Sequence, residues 1–133
     1  MPVRYLTVEQ VITLHRDVLE GMGWNSAPLR SEDLLASAIQ RAQAAAYYGG
    51  ADLIEQACVL AVGISQNQPF LDGNKRTATH SLVVFLALNG VEYVGDEFEL
   101  ADQVVAVAER DGSLEDATLQ FSAWLRDHTA PKP

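Results

Sequence analysis

The sequence predicts an all-α, single-domain bundle of about six helices, and three observations carry that reading. Apolar residues recur at helical spacing in one segment after another. Side chains suited to capping helix starts, Thr7, Ser31 and Ser113, stand ahead of those segments. Glycine, proline and asparagine punctuate the intervals, at Gly21 and Gly23, Gly49-Gly50, Pro69 and Asn89-Gly90. The 133 residues are 48% apolar and 20% charged, a balance that suits one globular core rather than a disordered chain.

Thr7-Val8-Glu9-Gln10 reads as a capping box, with Val11, Leu14, Val18 and Leu19 as the stripe that follows and Gly21-Met22-Gly23 as the stop. Residues 24–30, with Asn25, Ser26 and Pro28, read as a loop. Ser31 caps a second helix whose first turn carries Glu32 and Asp33, and whose apolar stripe is Leu34, Leu35, Ala38, Ile39 and Ala42. A third, very apolar helix runs from about Asp52 to Ser65 and is expected at the centre. Residues 66–73 form a short loop. A fourth helix spans about Asn74 to Leu88, apolar nearly all round in its far half, and Asn89-Gly90 stops it. Val91 to Val94 suits a short extended piece. A fifth helix covers roughly Glu97 to Arg110, and Ser113 opens a sixth with Leu114, Phe121, Trp124 and Leu125. The helical domain is thus residues 1–128, with 129–133 expected as a loose C-terminal tail.

A net charge of −9 argues against a duplex DNA binder, which needs a basic face to displace counterions, and no basic recognition helix is present. Direct nucleic-acid binding is therefore not expected. The single cysteine, Cys58, sits between Ala57 and Val59 and reads as a small buried hydrophobe, not a disulfide partner or zinc ligand. The longest apolar run, Leu82 to Leu88, is too short to span a bilayer, and no signal peptide is apparent. A cytoplasmic protein with no membrane partner is the expectation.

One segment differs from the rest: Asn67-Gln68-Pro69-Phe70-Leu71-Asp72-Gly73-Asn74-Lys75-Arg76-Thr77. It opens the fourth helix with a glycine, an amide, two cations and a carboxylate. The first amides of a helix lack internal partners, and the dipole makes that end positive, so anions bind there. Gly73 permits close backbone approach, Lys75 and Arg76 add formal charge, and Arg76 can grip phosphate oxygens with two donors. Asp72 has the wrong sign for phosphate itself but suits a magnesium ion placed between them. The same residues are also ordinary turn and cap chemistry, so an anion site and a plain helix start both remain open on these grounds.

The segment resembles the Fic motif, His-x-Phe-x-(Asp or Glu)-Gly-Asn-x-Arg-x-x-Arg, and more closely its Doc variant, in which lysine follows the asparagine. Phe70, Asp72, Gly73, Asn74, Lys75 and Arg76 match. Tyr5-Leu6-Thr7, Leu14-His15, residues 34–38, residues 85–90 and residues 106–108 also look like Doc positions. The resemblance implies ATP and magnesium as ligands: Asp72 on the metal, Gly73 and Asn74 as anion cradle, Lys75 and Arg76 on phosphate, Phe70 as a buried peg. It further implies a toxin that transfers the terminal phosphoryl group of ATP to a protein hydroxyl, with translation elongation factor as target. An antitoxin polypeptide would restrain it as a helix in a groove.

Two positions depart from the pattern. Thr79 stands where Fic proteins carry a second arginine, which with Lys75 favours phosphoryl transfer over AMP transfer. Gln68 stands at the place of the catalytic histidine. Histidine suits a general base because it titrates near neutrality, whereas an amide cannot carry a proton away. Gln68 therefore predicts weak or absent chemistry with nucleotide binding retained. An engineered change and a natural, degenerate relative both account for it, the undamaged remainder of the motif favouring the first. The alternatives are a non-catalytic nucleotide- or partner-binding module and an AMP transferase.

His80, one helical turn past Arg76, can share its face and contact the nucleotide or act as substitute base; a packed or surface role is the other reading. His15 reads as structural, bonding to a neighbouring helix or loop, and His128 as part of the tail. Trp24 and Trp124 read as packing residues. A built-in inhibitory motif, Ser/Thr-x-x-x-Glu-Gly/Asn, is absent because Arg16 occupies its first position ahead of Glu20-Gly21.

Overall fold

The computed structural model describes residues 2–23 and 28–133. Among these residues six helices follow one another: α1 Val8–Gly21, α2 Glu32–Gly49, α3 Leu53–Asn67, α4 Asn74–Leu88, α5 Glu97–Ala108 and α6 Leu114–Arg126. Two three-residue strands, β1 Val91–Tyr93 and β2 Thr129–Pro131, complete the fold.

The local signals act where the sequence places them. The Thr7 hydroxyl accepts the Gln10 amide at 3.1 Å and the Gln10 carboxamide accepts the Thr7 amide at 2.9 Å, closing the capping box. Ser31 and Ser113 accept the amides of Leu34 and Asp116 in the same manner. Asp52 and Asp96 cap α3 and α5. Of the loop expected at residues 24–30, residues 24–27, Trp24 among them, lie outside the described residues.

The most apolar helix, α3, holds the centre. It packs against α2, α4, α5 and α6, and Ala57, Cys58, Leu60, Ala61 and Ile64 are all buried. Gly63 lets α2 come close: a β-carbon there would lie 3.2 Å from that of Ala38. α4 lies alongside α3 and contributes Ala78, Leu82, Phe85 and Leu86 to the core. Its covering is incomplete, since Leu88 is exposed and Val83 and Val84 are half-buried. α1 packs against α4 and buries Val11, His15, Val18 and Leu19, of which His15 and Leu19 lie against Gly73.

The expectation of a loose tail is corrected. Residues 129–131 pair antiparallel with β1, in the register Val91↔Pro131, Glu92↔Ala130 and Tyr93↔Thr129. The extended stretch after Asn89-Gly90 offers an unpaired edge, and the tail fills it. His128 is likewise anchored: Nδ1 lies 2.8 Å from the Trp124 carbonyl and the ring stacks on the Trp124 indole. Asn89 and Gly90 form a corner that binds both ends of the described chain. Asn89 exchanges hydrogen bonds with the Arg4 backbone, and the Lys132 amide donates to the Gly90 carbonyl at 2.9 Å.

Candidate functional site: an uncapped helix start

α4 is the exception among the six helices. The other five begin at Thr7, Ser31, Asp52, Asp96 and Ser113, each with a side chain that accepts a first-turn amide. α4 begins at Gly73, in the left-handed region at φ +80°, with no side-chain cap. Its first backbone bond runs from the Thr77 amide to the Gly73 carbonyl at 3.0 Å. The amides of Asn74, Lys75 and Arg76 are left without an acceptor among the described residues. A helix end of this kind stabilises an anion.

Those amides open on a cavity of ≈ 410 Å³ lined by Met22, Ser65, Gln68, Leu71, Asp72, Gly73, Asn74, Lys75 and Arg76. Six of the seven site residues expected from the sequence therefore meet around one hollow. Among the described residues, neither Lys75 nor Arg76 joins an ion pair. Two adjacent cations thus remain uncompensated in a chain of net charge −9.

Each of these residues is held differently. Asp72 turns its Oδ1 to the Gly73 amide at 2.7 Å. Gln68 is the C-cap of α3, and among the described residues it is the only non-glycine with positive φ, at 48°. Arg30 braces this turn, donating from Nε to the Gln68 carbonyl and from Nη2 to the Asn67 carbonyl, each at 2.9 Å. Backbone from residues 28–31 runs beside residues 69–71: the Leu71 amide donates to the Pro28 carbonyl, and the Arg30 and Ser31 amides share the Pro69 carbonyl. Phe70 is the buried peg, 2% exposed. Asn74 lines the same cavity. Its side chain is engaged inward, with the backbone of Phe70.

The seventh expected residue, His80, stands elsewhere. Its Nε2 lies 3.0 Å from Glu97 Oε1 at the start of α5. The two line a separate hollow of ≈ 200 Å³ with Thr79, Val83, Tyr93, Gly95 and Leu100. Helical spacing put His80 on the Arg76 side of α4, but the carboxylate on α5 draws the ring away from the cradle.

Two contributors came from outside the motif. His15 of α1 is 2% exposed and reaches the loop beneath the cradle, its Nε2 2.8 Å from the Asp72 carbonyl. Arg30 did not stand out in the sequence, because nothing in a lone arginine two residues past Pro28 announces which carbonyls it will meet. A buried histidine following Leu14 on an apolar face was the available signal for His15.

A family model described as the Fic/DOC family matches residues 5–86, more than half of the chain. The chain belongs to the Fic/DOC family. Two characterised relatives of this family are similar over most of their length. The chain is 36% identical to the protein kinase doc of Escherichia phage P1 over 109 residues, 80% of this chain and 83% of that protein. It is 31% identical to the toxin Doc of Mycolicibacterium smegmatis (strain ATCC 700084 / mc(2)155) over 126 residues, 90% of this chain and 92% of that protein. The helical architecture agrees with membership of the Fic/DOC family. No helix among the described residues is long and apolar enough to cross a membrane.

Proposed function

We propose that this Fic/DOC chain is a Doc-type toxin scaffold that binds ATP with magnesium at the start of α4, and that Gln68 withholds the proton acceptor its phosphoryl transfer needs. The observation that carries the reading is the uncapped first turn of α4 facing a cavity with Lys75, Arg76 and Asp72 on its wall. The donor set fits the ligands. Three amides and two cations suit a polyphosphate. Among the described residues no group of three or more His, Cys, Asp or Glu could hold a metal alone. One carboxylate therefore suits magnesium taken together with phosphate oxygens, the usual manner for that ion. When bound, magnesium supplies charge neutralisation on the phosphates.

In a histidine form of the site, the imidazole at position 68 takes the proton from a target hydroxyl. The hydroxyl oxygen bonds to the terminal phosphorus of ATP, the bond to the β-phosphate oxygen breaks, and ADP leaves. Gln68 can orient that hydroxyl but cannot accept its proton. Loss of a general base costs a factor of about 10² to 10⁴. The two Doc relatives, one named a kinase and one a toxin, support phosphoryl transfer and growth arrest as the parent activity. Translation elongation factor is the proposed acceptor, an antitoxin helix the proposed restraint, and the cytoplasm the proposed location.

Calorimetry with ATP and magnesium on this chain and on Gln68→His tests the binding step, with equal affinity expected. Gln68→His is expected to arrest growth and to label elongation factor from γ-labelled but not α-labelled ATP. Label from the α position alone indicates AMP transfer. No growth arrest and no label from either would leave the second reading, a nucleotide-binding module without turnover, which Gln68 itself favours.

A further inference from the structure

We infer that His15, which lies on α1 and outside the motif, is the positioning residue that sets the Asp72–Gly73 peptide and through it the Asp72 carboxylate. The inference rests on the proposed nucleotide site and names a further residue that maintains it.

The geometry runs through one peptide plane. His15 Nε2 lies 2.8 Å from the Asp72 carbonyl oxygen. A carbonyl only accepts, so Nε2 carries the hydrogen and the tautomer is fixed. A trans peptide is planar, with its carbonyl and amide pointing in opposite directions. Holding the Asp72 carbonyl toward α1 therefore aims the Gly73 amide the other way. That amide donates to Asp72 Oδ1 at 2.7 Å. The carboxylate on the cavity wall is thus placed by a chain of two hydrogen bonds that begins at His15.

The imidazole itself has little freedom. It lies flat on Phe70, with ring centroids 3.7 Å apart and planes 6° from parallel. It also backs Gly73: a β-carbon there would come within 3.4 Å of His15 Nε2 and 3.1 Å of Leu19 Cδ2. A phenyl ring would fill the same space, but without the donor the Asp72 carbonyl would face the protein unpaired, and the peptide would be free to turn.

The decisive comparison sets His15→Phe, which keeps the disc and loses the donor, against His15→Gln, which keeps a donor. Hydrogen exchange at the Gly73 amide is read by NMR on the full chain without nucleotide. Exchange is expected to quicken about tenfold in His15→Phe, the scale of one hydrogen bond, and to be restored in His15→Gln. Affinity for ATP with magnesium should fall by a similar factor in His15→Phe. Val11→Ala, a core truncation on the same helix, should lower Tm and leave that affinity alone. Unchanged Gly73 exchange in His15→Phe overturns the inference, as does equal loss of affinity in Val11→Ala. If the parent chain binds no nucleotide, the proposed function falls while the exchange data still decide the role of His15. If His15→Phe does not fold, the ¹⁵N spectrum of the parent imidazole decides: a proton on Nε2 in the neutral ring supports the assignment, and one on Nδ1 overturns it.

Discussion

Asn74 and Phe70 close a reciprocal ring: Asn74 Oδ1 accepts the Phe70 amide at 3.0 Å, and Asn74 Nδ2 donates to the Phe70 carbonyl at 2.8 Å. The asparagine of the motif thus completes the backbone bonding of a residue that is 2% exposed. Both amide functions are needed, which is why neither aspartate nor leucine would serve.

Asn74→Ala is expected to destabilise the fold by about 2–3 kcal/mol, since it leaves a buried donor and a buried acceptor without partners. Urea denaturation measures this directly. An asparagine that served only to contact phosphate would lower nucleotide affinity and leave the unfolding midpoint where it was.

Position 68 carries a cost in backbone conformation. Gln68 adopts φ 48° and ψ 58°, a region that disfavours side chains bearing a β-carbon by about 1–2 kcal/mol. Gln68→Gly is expected to stabilise the chain by roughly 0.5–1 kcal/mol after glycine's greater unfolded-state entropy is deducted. Arg30→Ala should act in the opposite direction, by about 1 kcal/mol, because two carbonyls at the end of α3 lose their donor. Denaturant midpoints of the two variants check the signs. Equal shifts in one direction would contradict the account of this turn.

The acid limb of the stability curve should depend on Asp52. Burial works against its charge, but the Glu55 amide and the Arg126 guanidinium prevail and hold the carboxyl below its ordinary value of 3.8. A carboxyl depressed in the folded state stabilises above its unfolded pKa, and that contribution is lost as the pH falls through the folded one. Asp52→Asn keeps a capping oxygen but removes the charge that faces Arg126; it is therefore expected to cost stability at neutral pH, at most about 1 kcal/mol for so exposed a pair, and to close the gap to the parent as the pH falls below 3.8. Thermal unfolding from pH 7 to pH 2 checks it. A gap that persists unchanged at pH 2 would show that charge plays no part.

Much of the helical layout was legible because its signals are local. Thr7 with Gln10, Ser31 with Leu34, and Ser113 with Asp116 act over three residues, and the sequence displays them side by side. The run from Gly73 to Arg76 stood out for the same reason, since its residues are consecutive. What escaped were contacts formed across long sequence separations. The tail had no visible reason to order until β1 gave it an edge, and β1 lies behind two helices in sequence. His80 was placed by its own helix and then claimed by Glu97 on another. Arg30 reaches carbonyls 37 and 38 residues away. The Asn74 side chain bonds to the backbone of Phe70, whose ring stacks on His15 of α1, a contact 55 residues distant in sequence.

Because Arg4 and Lys132 both bond to the Asn89-Gly90 corner, backbone near the two ends of the described chain is brought together in space. A short flexible linker between them would give a closed ring, which makes the fold a good subject for circular permutation. New termini could be opened after α2 at Gly50 or after α5 at Gly112, neither of which lines the cavity at the start of α4. Such rearranged chains would keep every contact around α4 while changing the order in which the helices are synthesised.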